Sequence, residues 1–246
     1  MKIFKYIIST LLCISGTIAW SEPVSVTIQK SELEKIIHEN DDLPATLMSL
    51  KILADDAHNN NKLPPPDNLC NFKSAQGIIF CQGNKGIHRI KMPQLDGTPR
   101  PGSIAEKMVC QGTLKRNAKN GNVDLEELFI EYMGKKYGVS EPQDVDASTL
   151  RATQDELIGY VIASMWWALK QNPDIAGIRA PIFISNDNYI IDGHHRWASL
   201  SALEYGAREP KAVMIKVRKI NKDIDTLVKE TKDFTDYYGI EPQSGG

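Results

Sequence analysis

The chain has 246 residues, 41% hydrophobic and 24% charged, with a formal net charge of −2 at pH 7. These values exclude a disordered chain and a multi-span membrane protein. They also exclude a protein that coats nucleic acid, which needs a broad basic surplus; any nucleic-acid contact has to be local.

Lys2 and Lys5 precede an apolar run over residues 6–20, and Ala19-Trp20-Ser21 offers small residues where a signal peptidase reads. The pattern predicts a secretory segment over residues 1–21, with the rest of the chain periplasmic or secreted. A short membrane anchor is the alternative, although the run is short for a span of about 20 residues. Leu11-Leu12 before Cys13 argues against lipidation. Cleavage removes two lysines and no acid, so the formal charge moves to −4. Of the remaining cysteines, Cys70 and Cys81 can close a short loop in an oxidising compartment, leaving Cys110 over. No Cys-x-x-Cys and no Cys/His cluster with zinc spacing occurs.

Residues 22–143 read as a mainly helical extension containing a β-hairpin. Ser31 and Glu34 form a capping box for a short helix with Leu33, Ile36 and Ile37 on one face. A second helix is predicted over residues 45–57, carrying Leu47, Leu50 and Leu53, before a loop marked by Asn59-Asn60-Asn61 and Pro64-Pro65-Pro66. Residues 77–82 and 87–92 read as the two arms of the hairpin around the turn Gly83-Asn84-Lys85-Gly86. His88, Arg89 and Lys91 then lie on a solvated strand face or, with Arg100, form a basic lip. The Pro/Gly-rich loop over residues 93–102 is long enough to carry function, and covering a nearby pocket is the expected role. Ser103 and Glu106 open a helix to Cys110. Asp124 caps another, with Leu125, Leu128, Phe129, Tyr132 and Met133 at helical spacing and Gly138 as its stop.

Residues 144–240 read as a compact α/β unit, a small mixed sheet with helices around it. Residues 144–150 are a short extended lead-in. Thr153, with Glu156 at capping-box distance, is expected to start a helix over residues 154–170 with Leu157, Val161, Met165 and Leu169 buried. One ring of Trp166-Trp167 is expected inside and one at the surface. Strands follow at 181–185 and 189–192 around the turn Asn186-Asp187-Asn188, then a helix over 195–205, a strand over 212–217 and a last helix capped by Asn221 and stopped by Gly239.

The run Asp192-Gly193-His194-His195-Arg196 falls where a strand feeds directly into a helix. The first turn of that helix offers unpaired N–H groups and the positive end of the dipole. Gly193 lets a ligand approach the backbone, and Arg196 matches two phosphate oxygens. Anion binding is therefore expected, with His194 or His195 as general acid or base and Asp192 orienting a histidine or holding a divalent metal such as Mg²⁺. The plainer reading has Asp192 capping the helix, a histidine packed in the core and Arg196 in a salt bridge.

The stretch Ile191-Asp192-Gly193-His194-His195-Arg196-Trp197-Ala198 resembles the DGHHRWA segment of the ParB-like nuclease family and of archaeal free-serine kinases, both of the ParB/sulfiredoxin superfamily. Leu150-Arg151-Ala152-Thr153-Gln154 resembles the element that opens the superfamily's first helix. The resemblance covers roughly residues 144–218. It implies a ParB/sulfiredoxin-like α/β fold and a phosphate or nucleotide pocket with Gly193, His194, His195 and Arg196 as floor and Arg151, Thr153 and Gln154 as wall. Sulfiredoxins carry a catalytic Cys where this chain has His194, which sets sulfinic-acid reduction aside. The kinases carry a catalytic Glu near the start of the first helix, and Glu156 is the nearest candidate here; a capping-box role for it stays open. Three functions follow as expectations: a phosphoesterase or nuclease acting on a nucleotide or nucleic acid, an ATP- or ADP-dependent phosphotransferase, and a non-catalytic phosphate-binding module. An exported chain would meet little nucleoside triphosphate, which favours the first and the third over the second. The sequence leaves the oligomeric state open.

Overall fold

The computed structural model describes residues 6–7, 25–26, 30–39, 41–64, 67–74, 77–78, 80–205 and 211–241. Strand β1 (Tyr6–Ile7) pairs antiparallel with β2 (Ser25–Val26). The expected secretory segment otherwise lies outside the described residues, and among those described no helix is long and apolar enough to cross a membrane.

Helix α1 (Lys30–Glu39) buries Leu33; it already includes Ser31, which therefore does not cap it. Helix α2 (Leu43–Asn59) begins two residues before the sequence pattern, because Asp42 accepts from the Ala45 amide and Pro44 sits in the first turn, where a missing N–H costs nothing. Strands β3 (Lys73–Ser74) and β4 (Gly77–Ile78) form a minimal hairpin. The hairpin expected over 77–92 is thus displaced. Residues 89–91 are a short 3₁₀ turn, and Ile87 pairs with the chain at Gln154 instead. The Cys70–Cys81 disulfide forms, and Cys110 is free and exposed.

Strand β5 (Asp96–Gly97), inside the Pro/Gly-rich loop, pairs with β6 (Val123–Asp124). Between them lies α3 (Ile104–Cys110), with Ser103 Oγ accepting from the Glu106 amide at 3.1 Å. Helix α4 (Glu126–Lys136) follows β6 directly and buries Phe129 and Met133.

The central sheet has the order β7 (Gln143–Asp146), β10 (Met214–Lys219), β8 (Ile182–Ile184), β9 (Ile190–Asp192). Strand β10 runs antiparallel to β7 and parallel to β8, and β8–β9 is a hairpin turned through Asn188 at φ +65°. The molecule is therefore a mixed α/β fold. Alternation along buried strands sends neighbouring residues to opposite faces. Ile182, Ile184, Ile190 and Val217 enter one core with α2, α5 (Gly159–Gln171) and α7 (His194–Ser201). Phe183 and Ile191 enter the other with Leu125, Phe129, Met133 and α8 (Ile224–Tyr238). Short helix α6 (Ala176–Arg179) precedes β8. Each core draws on residues from both sides of position 143.

Two expected starts move. Helix α5 begins at Gly159, five residues later than Thr153 and Glu156 suggested, and its buried stripe is Ile162, Ala163, Trp166 and Leu169. Trp166 is inside and Trp167 half-buried. Helix α8 is capped by Asp223 rather than Asn221, whose amide donates to Gly138 O.

Candidate functional site

Strand β9 delivers Asp192 to the rim of a cavity of about 480 Å³. Gly193 then turns the chain into α7 with φ +94°, and no side chain caps this helix. A Cβ on Gly193 would stand 2.3 Å from Ile182 Cγ2. Both the left-handed backbone and the contact with β8 require glycine here. The first-turn N–H groups of His194, His195 and Arg196 have no intrahelical partner by construction of any helix, and these residues line the cavity.

The segment expected to be helical over 154–158 is irregular instead, and two imidazoles take the amides of Thr153 and Ile158 at its two ends. Thr153 N–H donates to His194 Nε2 at 3.0 Å, and Ile158 N–H donates to His195 Nε2 at 3.1 Å. A backbone N–H can only donate, so both Nε2 atoms are unprotonated and each neutral ring carries its proton on Nδ1. Burial lowers the His194 pKa to about 3, helped by His195, and lowers that of His195 to about 4, helped by Arg89. Both rings are neutral, and neither nitrogen is poised to take a proton. Thr153 Oγ1 donates to Ile190 O, so Thr153 clamps the segment to β9 and does not line the cavity.

Arg196 Nη2 meets Asp192 Oδ2 at 2.8 Å, and its Nη1 lies 3.4 Å from the carbonyls of Ala180 and Pro181. The plainer reading of the motif is realised to that extent: a paired arginine and a packed histidine, although Asp192 does not cap the helix. Gln154 does line the cavity. It is 4% exposed, and its Nε2 has no hydrogen-bond partner among the described residues. A buried polar group without a partner costs roughly 1–3 kcal/mol. Arg151 lies elsewhere, over the Tyr189 ring and beside a second cavity next to Trp197 and Phe80. Glu156 lines neither cavity.

The opposite wall comes from the loop expected to cover the pocket and from the start of α4. Met92, Pro93, Gln94, Leu95 and Asp96 of the Pro/Gly-rich loop line the cavity, as do Asp124 and Glu126. Asp96 and Asp124 are direct cross-strand partners in β5–β6. Like charges so opposed are destabilising, by an amount on the order of 0.2–1 kcal/mol. Partial burial, then Asp124 and Asp192, hold the Asp96 carboxyl above the ordinary range against a hydrogen bond with Asn122. Burial first, then Asp124, raises that of Glu126, with Arg196 opposing. The only sequence clue to this wall was the character of the loop.

Comparison with protein-family models, with curated proteins and with solved structures returns no match for this chain.

Proposed function

We propose that the chain binds a phosphate-bearing ligand, a nucleotide or nucleic acid, at the N-terminus of α7 and hydrolyses its phosphoester bond. The observation that carries this reading is the uncapped helix start at Gly193 opening on a cavity whose wall holds the unpartnered amide of Gln154. Helix-terminal N–H groups suit a tetrahedral anion. The resemblance of residues 191–198 to the ParB-like nuclease family supports the same reading, as does an α/β fold that presents this corner at a strand end. The Cys70–Cys81 bridge supports an exported, oxidising setting.

The chemistry falls to groups other than the histidines. His194 and His195 fix the wall and can donate from Nδ1. Arg196, aligned by Asp192, supplies positive charge beside the anion site. Asp192 does not fit as the sole holder of a metal ion, because Arg196 takes its Oδ2. Glu126, half-buried and with its pKa raised, is the general base that takes a proton from the attacking water. Water adds to phosphorus, the ester P–O bond breaks, and the proton that Glu126 took from the water is passed on, directly or through solvent, to the leaving oxygen. The phosphotransferase alternative relied on Glu156, which the fold keeps out of the cavity.

The test is the thermal midpoint with inorganic phosphate, pyrophosphate or ADP, beside hydrolysis of p-nitrophenyl phosphate mono- and diesters. Phosphate or ADP is expected to raise the midpoint. Gln154→Leu is expected to weaken binding about tenfold, the loss of roughly 1.4 kcal/mol. Glu126→Gln should keep binding and lose turnover by about 10²–10⁴-fold. No stabilisation by any of the three anions overturns the phosphate reading.

A further inference from the structure

Helix α5 carries more apolar surface than its packing uses. Ile162, Ala163, Trp166 and Leu169 form its buried stripe and enter the core shared with α2 and α7. A helix with one buried stripe usually turns polar or charged residues to its other side. Here a second apolar row starts at the N-cap, Ile158, and continues through Val161 and Met165, at i, i+3 and i+7. All three line the 480 Å³ cavity. Val161 and Met165 are half-buried and join neither of the two cores. Core packing therefore does not account for their being apolar.

The row is tied to the anion corner. Ile158 N–H donates to His195 Nε2 at 3.1 Å, and His195 stands in the first turn of α7. At a rise of 1.5 Å per residue, the row runs about 10 Å from that point. Met92 and Leu95 of the Pro/Gly-rich loop and Ile191 of β9 add buried apolar side chains to the same lining. Sites for small organic ligands are built in this way, with mostly apolar walls and a few polar groups that fix orientation.

We propose that Ile158, Val161 and Met165 form an apolar subsite that selects, among phosphoesters, those whose alcohol half presents an apolar ring, an aryl group or a nucleobase. The inference rests on the phosphate reading above for the anchor, and on the second apolar row of α5 for the choice of alcohol. A sugar or polyol laid on this row gives up hydrogen bonds to water and regains none from a valine or a methionine. A ring gains from burial, and the thioether of Met165 favours its edge. The selectivity resides in side chains of α5, apart from the groups that meet the phosphate.

The experiment is calorimetric titration of the full chain with inorganic phosphate, hydroxymethylphosphonate, phenylphosphonate and the 5′-methylenephosphonate analogue of AMP, whose P–C bonds resist hydrolysis. Phenol serves as the ring without an anion. The proteins are the parent, Val161→Thr and Met165→Gln, which keep side-chain size at positions outside both cores and are expected to fold. Phenylphosphonate is expected to bind the parent about tenfold more tightly than hydroxymethylphosphonate. Each variant should lower that preference about threefold and leave the affinity for inorganic phosphate unchanged. Phosphate binding without a preference for phenylphosphonate, or a preference that both variants keep, overturns the apolar subsite and leaves the phosphate reading standing. Phenol binding that the variants lose, with no gain from an attached anion, overturns the phosphate reading and leaves the row as an apolar site. Binding of none of these ligands overturns both. An AMP analogue as tight as phenylphosphonate assigns the ring to a nucleobase; one as weak as hydroxymethylphosphonate assigns it to an aryl alcohol and removes the nucleotide.

Discussion

At the residue scale, His194 and His195 show how one side-chain choice shapes a segment far away in sequence. Each Nε2 satisfies a backbone amide of the 153–158 stretch, and so holds that stretch out of helical geometry. The same burial makes them a liability in acid. Their folded pKa values, about 3 and about 4, lie below the ordinary histidine value of 6.5. The unfolded chain therefore binds protons the folded chain does not. Stability is full above pH 6.5 and falls as pH drops from there toward the folded values, by up to about 1.4 kcal/mol per pH unit for each histidine. Urea unfolding at pH 7, 6 and 5 checks this. His194→Gln, which keeps an acceptor near the Nε2 position, should remove about half of the slope. A midpoint that holds steady from pH 7 to 5 would show that the rings are charged in the folded state.

At the element scale, the disulfide loop is the brace of the cavity wall. Gly159 N–H donates to Asp67 O, Leu69 N–H to Leu157 O, and Leu157 N–H to Asn68 Oδ1. From the other end, Ile87 N–H donates to Thr153 O and Asp155 N–H to Ile87 O. The Cys70–Cys81 bridge lies between these two grips, at a sequence separation of 11. Closing a loop of that size contributes roughly 2–3 kcal/mol. Replacing both cysteines by serine should cost about that much in urea unfolding. Amide exchange at Leu157, Gly159 and Asp155 should accelerate more than exchange in β8 and β10. Uniform acceleration throughout the molecule would mean that the loop is not a separate brace.

At the scale of the whole molecule, the sheet is a middle layer whose two faces are covered by helices from either half of the chain. Helix α2 packs on α5 in one core, and α4 packs with α8 in the other. Residues 43–133 thus add to the cover that α5, α7 and α8 give the two faces of the sheet. Expressed alone, residues 144–246 would lose the Leu43, Leu47 and Leu50 side of one core and the Leu125, Phe129 and Met133 side of the other. That fragment is expected to lack a cooperative thermal transition and to gain one only on adding the N-terminal segment. Circular dichroism melting and dispersion of amide resonances would decide it. A cooperative melt of the isolated fragment would show that the resemblance marks a self-sufficient domain.

The sequence by itself determined what depends on near neighbours. Helical spacing located α2, α4 and α8; the strand-to-helix switch at Gly193 and the cysteine pair were legible as short patterns; the Pro/Gly-rich loop was marked as a cover for the site. These signals work because period and turn chemistry act over a few residues. Tertiary structure decided the rest. Residues 154–158 satisfy a helix signal locally, yet imidazoles some forty positions later accept from the amides of Thr153 and Ile158. Arg151 fits a phosphate wall in sequence, yet its side chain lies over Tyr189. The acidic wall exists only because β5 meets β6 across the intervening residues 98–122 and sets Asp96 against Asp124. Helix-end chemistry can be read along the chain, but which charges face it is fixed by pairings distant in sequence, whose free energy is supplied by burying both faces of the sheet.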